Sequence, residues 1–217
     1  MKVTSFLPLL TTSALMMAGT SLAATVSVDV SGGTYTGTGV LDTTTHTWLS
    51  KPTSGNTFTL DSQTVGIIYG GFSSGNIDAT IDLFDDYKHN SAGSAVGFVL
   101  TGLDMTKTYD IVLYGAQNFG GGRGASFDLV EGTYSGADPQ TTSGDQQSSF
   151  VAGVNYVLFS GIAPTNSSGD QRIRFLVGNG PDGIGIFNGF EIRSVPEPGA
   201  ILLCGLGGLF VLRRRRP

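Results

Sequence analysis

The chain has a single cysteine in 217 residues, Cys204, and that scarcity removes whole classes of chemistry before any motif is sought. No disulfide within the chain and no cysteine-based metal site can form, even in a compartment that permits disulfides. Histidine is nearly as scarce. His46 and His89 stand far apart, without the His-Glu-x-x-His spacing of zinc hydrolases, so no metal is expected. Charged residues make up only 13% of the chain, and the Ala, Leu, Glu and Lys that sustain long helices are thin.

Basic charge is also thin in the middle of the chain. Lys2 and Arg213 to Arg216 lie in the end segments, which leaves residues 24–194 with 7 basic and 16 acidic side chains, a balance of −9. Such a body repels phosphate backbones, which excludes nucleic acid as a natural partner.

What is abundant is glycine, at 33 residues, together with Thr and Ser, a strand-and-turn composition. Short alternating runs separated by Gly, Asn, Asp and Ser begin at Thr25 to Val30 and recur at Val65 to Tyr69, Ala95 to Leu100 and Tyr109 to Tyr114. Further strands are expected at Ala125 to Val130, Val154 to Ser160, Arg172 to Val177 and Gly183 to Arg193. Tyr109 to Tyr114 is apolar on both faces and reads as a central strand. No window sustains a helical period for three turns, and the nearest, Asn76 to Tyr87, is full of β-branched residues and Asp. The expected fold is all-β, an antiparallel sandwich of jelly-roll type with eight to eleven strands over residues 24–194. No fixed-period repeat suggests a solenoid or propeller.

The two ends read as processing segments. Residues 1–23 have the order of an export signal, expected as a helix: Lys2, an apolar stretch from Phe6 to Met17, and Ser21-Leu22-Ala23 as a small-x-small cleavage site before Ala24. Residues 195–217 carry Val195-Pro196-Glu197-Pro198, an uncharged run from Gly199 to Leu212, and Arg213-Arg214-Arg215-Arg216. As a single hydrophobic helix this run reaches roughly 21 Å, short of the roughly 30 Å hydrocarbon core, so the Arg cluster is needed as a membrane stop on the cytoplasmic side. The prolines ahead of it break the helix and keep the segment extended and open to a processing enzyme.

These three features in this order resemble the PEP-CTERM sorting domain of Gram-negative bacteria, which a membrane exosortase processes. The resemblance implies that Val195, Pro196, Glu197 and Pro198 are the sorting motif and that the helix is a transient transmembrane anchor. It further implies that the protein is exported to the cell surface or an exopolysaccharide matrix. The trailing Pro217 departs trivially from the pattern. Thr101-Gly102-Leu103-Asp104, Lys107 to Gly115, Gly161 to Pro164 and Asn188 to Ile192 also resemble β-sandwich domains common among PEP-CTERM proteins, related in outline to galactose-binding-like jelly rolls. That second resemblance implies a fold and carries no ligand residues.

Few residues suggest chemistry in the body. Phe119-Gly120-Gly121-Gly122-Arg123-Gly124 lacks the Lys and the following helix of a phosphate-binding loop. It reads as a hairpin loop in which Arg123 beside Phe119 could grip a sugar or an anion. Trp48 could stack on a sugar or cap the core. Asp78, Asp82, Asp85 and Asp86, and the pairs Asn166 with Asp170 and Asn179 with Asp182, lack the spacing of a calcium loop. Gly71-Phe72-Ser73-Ser74-Gly75 matches the string of a nucleophile elbow but has no helix behind it. The sequence thus leads to a non-enzymatic surface or matrix protein without cofactor. Its alternative is a carbohydrate-binding module using Trp48, Phe119 and Arg123. A glycan-degrading enzyme built on paired carboxylates is favoured only by the compartment and the acidic residues.

Overall fold

The computed structural model describes residues 23–30, 33–51, 53–76, 82–84, 86–90, 96–117, 122–145 and 148–195, all within one compact unit. The segment expected to be the signal helix and the segment from Pro196 through Arg216 lie outside the described residues, apart from Ala23.

In chain order the strands are β1 (Thr25–Asp29), β2 (Thr36–Gly37), β3 (His46–Thr47), β4 (Leu49–Ser50), β5 (Thr57–Leu60), β6 (Gln63–Gly70), β7 (Ser73–Asn76) and β8 (Asp86–His89). They continue as β9 (Val96–Thr101), β10 (Thr108–Tyr114), β11 (Ala125–Glu131), β12 (Gln140–Thr141) and β13 (Tyr156–Ile162). The last four are β14 (Thr165–Ser167), β15 (Asp170–Asn179), β16 (Ile186–Phe187) and β17 (Gly189–Val195). Five of these strands are only two residues long and β14 is three; the remaining eleven match the upper end of the eight to eleven expected. A single turn of 3-10 helix at Asp82–Phe84 is the helical structure among the described residues.

Two sheets dominate. One has the order β13-β10-β17-β1-β4 and the other β12-β11-β15-β9-β6-β5, with β14 paired to β15. Alternation does the work expected of it in the second sheet. Val65 and Ile67 of β6, Val96, Phe98 and Leu100 of β9, and Ile173, Phe175 and Val177 of β15 are buried, while their neighbours in sequence are more open. The buried set meets Ile111, Leu113, Phe159, Phe190 and Ile192 of the first sheet in one apolar cluster. Phe98 stands 4.9 Å from Phe190 and Phe159 4.9 Å from Phe175, centroid to centroid. Each such ring contributes about 2–3 kcal/mol by leaving water.

The five-stranded sheet is also covered on its other face. Val112 and Tyr114 of β10 pack there with Tyr35, Trp48, Leu83, Phe84 and Ala116 in a second cluster. That double cover explains why Tyr109 to Tyr114 is apolar on both faces, and β10 does lie between two neighbours.

Three details depart from the sequence reading. The β1–β4 pair is parallel, Val28 opposite Leu49, so the structure is not wholly antiparallel. The strand expected over 183–193 is cut between β16 and β17 at Asn188, whose buried side chain accepts the Ala116 N–H at 2.8 Å. The strand expected from Val154 starts at Tyr156 instead. Gly153 is left-handed at φ 74°, and Asn155 binds Val151 N and Ser149 O, so these residues form a turn.

Candidate functional site

The chain leaves the described body through β17, which sits between β10 and β1. Val195 pairs with Thr108 and Arg193 with Thr25, so the last strand ends beside the start of the first. Pro196 follows at once. Its ring removes a backbone N–H and holds the preceding residue extended, which suits a strand ending at Val195.

Both faces of this strand end are fastened by carboxylates. On the outer face Arg193 Nη2 and Nε donate to Asp110 Oδ2 at 2.8 and 3.1 Å. Asp110 Oδ1 accepts from Ser160 Oγ at 2.6 Å and Gly161 N at 3.1 Å. On the inner face Ser194 Oγ donates to Asp61 Oδ2, and Lys107 Nζ donates to the same oxygen at 3.1 Å. The Ala24 N–H also helps to lower the Asp61 carboxyl. Burial by itself would raise the pKa of Asp61, but the hydrogen bonds from Ser194 and Lys107, the lysine charge and Ala24 outweigh it and hold the group below the ordinary carboxylate value.

Asp61 occupies the two-residue turn between β5 and β6, where Asp61 (φ 49°) and Ser62 (φ 69°) are both left-handed. That backbone matches the twist of a tight hairpin, although neither residue is glycine. The turn thereby reaches from the seven-stranded sheet to the end of the five-stranded one.

Further along β17, Glu191 is fully buried on the outer face. Its carboxylate accepts from the backbone N–H groups of Val40, Leu41 and Asp42 at 2.7, 2.8 and 3.1 Å, from Tyr114 Oη at 2.7 Å and from Ser27 Oγ at 3.2 Å. Gly39 has to be glycine, because a Cβ there would collide with this carboxylate. Burial first, and Glu191 second, push the Tyr114 phenol well above its ordinary pKa. This buried acid therefore pins the segment that covers the sheet.

Beside it, His46 Nε2 lies 2.8 Å from Ser27 Oγ and Nδ1 lies 2.8 Å from Thr44 O and 3.6 Å from Asp42 Oδ2. Sequence reasoning sought Ser, His and Asp around Gly71 to Gly75 and missed this set, which only the parallel β1–β4 pairing and the cover segment bring together. Ser27 is 4% exposed and its oxygen also faces Glu191, so the hydroxyl is enclosed by its own network.

The residues singled out for glycan binding take other places. Trp48 is 2% exposed, edge-on to Tyr35 and Tyr114 and stacked on His46 at 6.1 Å, so it caps the second cluster and offers no open ring face. Arg123 Nε sits 2.5 Å from Asp182 Oδ2, and its backbone is paired with Gln117. Phe119 lies outside the described residues. Gly124 is structural: a Cβ there would strike the Thr142 carbonyl.

Three of the residues paired for calcium hold partners within the protein. Asn179 Oδ1 accepts from Asn90 while Asp182 holds Arg123, and Asp170 Oδ1 accepts from Gly102 N and Gln171 N. Asp78 and Asp85 lie outside the described residues. Gly71 and Phe72 join β6 to β7, and Ser73 to Gly75 already belong to β7, so the string runs from a link into a strand and not into a helix.

Residues 194–216 match the PEP-CTERM protein-sorting motif. The chain is a PEP-CTERM motif-containing protein. The motif implies an exported protein processed by an exosortase, itself a membrane protein, and directed to the cell surface or outside the cell. No curated protein and no solved structure matches the chain. Ser194 and Val195, the first two residues of the match, are the end of β17, so the PEP-CTERM motif begins inside the sheet. Among the described residues no helix is long and apolar enough to cross a membrane, and Gly199 to Leu212 lies outside them.

Proposed function

We propose that this PEP-CTERM protein is a structural or interaction component of the cell surface or extracellular matrix, a jelly-roll-type sandwich held at the membrane only until the exosortase acts. The observation that carries the reading is the position of the motif. Its recognition residues, Pro196, Glu197 and Pro198, follow directly on the last paired residue of a central strand. Cleavage there leaves every described strand and the Asp61, Asp110 and Glu191 networks whole, so the released body keeps its hydrogen bonds.

A role outside catalysis is supported by how the candidate groups are used. Asp61, Asp110 and Glu191 tie strands and loops together, and Ser27 is enclosed. Trp48 and Arg123 lend no support to the carbohydrate-binding alternative. Retention of the protein on the host's own exopolysaccharide would revive that alternative.

Replacing Pro196, Glu197 and Pro198 together with Ala is expected to leave an uncleaved, membrane-retained protein, seen as a higher-mass band in the membrane fraction. Unchanged maturation of this variant would overturn exosortase sorting.

A further inference from the structure

We propose that Asp61 is the seat for the α-ammonium group that export processing creates on Ala24, so that removal of the signal completes an ion pair at the strand end from which the sorting motif departs. The inference rests on the reading of residues 1–23 as a cleaved signal. It goes beyond the sorting function in assigning a binding role to a carboxylate for the chain's own new terminus.

The argument begins with what Asp61 already holds. The register of Thr25 opposite Arg193 brings Ala24 level with Ser194, the residue whose hydroxyl Asp61 holds, and the Ala24 N–H is among the groups that lower the Asp61 carboxyl. That carboxyl accepts Lys107 Nζ at 3.1 Å and Ser194 Oγ, which is 6% exposed and begins the PEP-CTERM motif. The carboxyl is thus placed within hydrogen-bond reach of the nitrogen that cleavage alters. Ala24 itself is exposed, and Thr25 opposite Arg193 fixes where β1 begins. Hydrolysis of the Ala23–Ala24 bond adds one water: its oxygen goes to the Ala23 carbonyl carbon, leaving a carboxylate on the signal. The Ala24 nitrogen leaves as an amine and takes up protons to become an ammonium with three N–H donors. A neutral amide donor is thereby replaced by a charged one facing the same acceptor.

The surrounding charges favour the exchange. Asp61, Asp104 and Lys107 are the charged groups of this cluster, and Asp104 is held below the ordinary carboxylate value by the hydrogen bonds from Thr106 first and by the charge of Lys107 as well. Two acids against one lysine leave a net charge of −1 before processing, and the new ammonium cancels it. The Tyr109 hydroxyl, held by Asp104 N at 2.9 Å, is raised above its ordinary pKa by burial and stays neutral. Arg193 points to the opposite face, where Asp110 holds it. An ammonium paired in this way has a folded pKa above its unfolded one. Its stabilisation is complete below the unfolded value, roughly 7.7–8.0, and is lost as pH rises through the folded value.

The test is competitive acetylation of the mature protein, purified from its host, with trace acetic anhydride across pH 6–10, reading the N-terminal peptide by mass spectrometry. The expected result is a terminus at Ala24 whose α-amino group titrates about one unit above roughly 7.7–8.0, and returns to that range in Asp61→Asn. Lys107→Met, which keeps the carboxylate and removes the neighbouring cation, is expected to raise the titration point further. A terminus at Ala24 with ordinary titration in the wild type, or a fall in Lys107→Met, would overturn the seat while leaving the cleavage intact. A mature terminus elsewhere would overturn the signal reading and the seat together.

Discussion

The five-stranded sheet is covered on both faces, whereas the seven-stranded sheet packs one face on the core and, among the described residues, leaves the other more open to solvent. The contrast shows in the strands themselves. β10 is buried at six consecutive positions, while β9 alternates regularly between buried and half-buried. It shows more sharply in the polar groups. On the covered outer face Glu191, Asp110 and Ser27 are all nearly or fully buried, and each is met by donors or acceptors from distant segments. On the open face Ile68 (43% exposed) and Val130 (41%) stand in solvent, and Arg174 keeps 41% of its side chain exposed while facing Glu131. A polar atom sealed between layers has to be satisfied by the protein, and a polar atom on an open sheet can rely on water.

Substitutions on the two faces break this comparison at different magnitudes. Glu191→Gln is expected to cost the most, about 3 kcal/mol, because an amide cannot accept three converging backbone N–H groups and two hydroxyls at once. Urea denaturation would show it as a lower midpoint at unchanged slope. Tyr114→Phe is expected to cost about 1–2 kcal/mol, since it removes the hydroxyl between Val40 N and Glu191 but keeps the ring against Trp48. Ile68→Thr on the open face is expected to change stability by less than about 0.5 kcal/mol in the same assay. A large loss there would mean that the open face is covered by something in solution.

The same contrast marks what the sequence could reveal. Alternation placed β6, β9, β11 and β15 to within a few residues, because a one-sided strand writes its period of two into the chain. The doubly apolar Tyr109 to Tyr114 stretch placed β10 at the interior of a sheet for a related reason. The cover segment between Tyr35 and Ser50 escaped. Its strands are two residues long, and its position is set by Glu191, some 150 residues away, through backbone N–H groups that any residue supplies. Trp48 was legible only as a choice between open platform and core. The choice was decided by Tyr35 and Tyr114, one of them on a distant strand.

The candidate site was legible in part. Pro196-Glu197-Pro198 announces itself because proline constrains the backbone locally and the motif is contiguous. Asp61 did not, since a carboxylate in a Leu-Asp-Ser-Gln turn looks like any solvated hairpin tip, and its partners Ala24, Lys107 and Ser194 come from three other segments. The Ser27, His46 and Asp42 arrangement was hidden for the same reason, whereas the Gly71 to Gly75 string, which lacks the helix of a nucleophile elbow, runs from a two-residue link into β7.

Intact-mass measurement of the protein recovered separately from the surface and membrane fractions of its native host tests the central claim most directly. A surface species that begins at Ala24 and ends near Pro196, with or without added glycan mass, is the predicted result. A sole species that stays in the membrane and retains Arg213 to Arg216 would contradict it, and would make the C-terminal segment a permanent anchor.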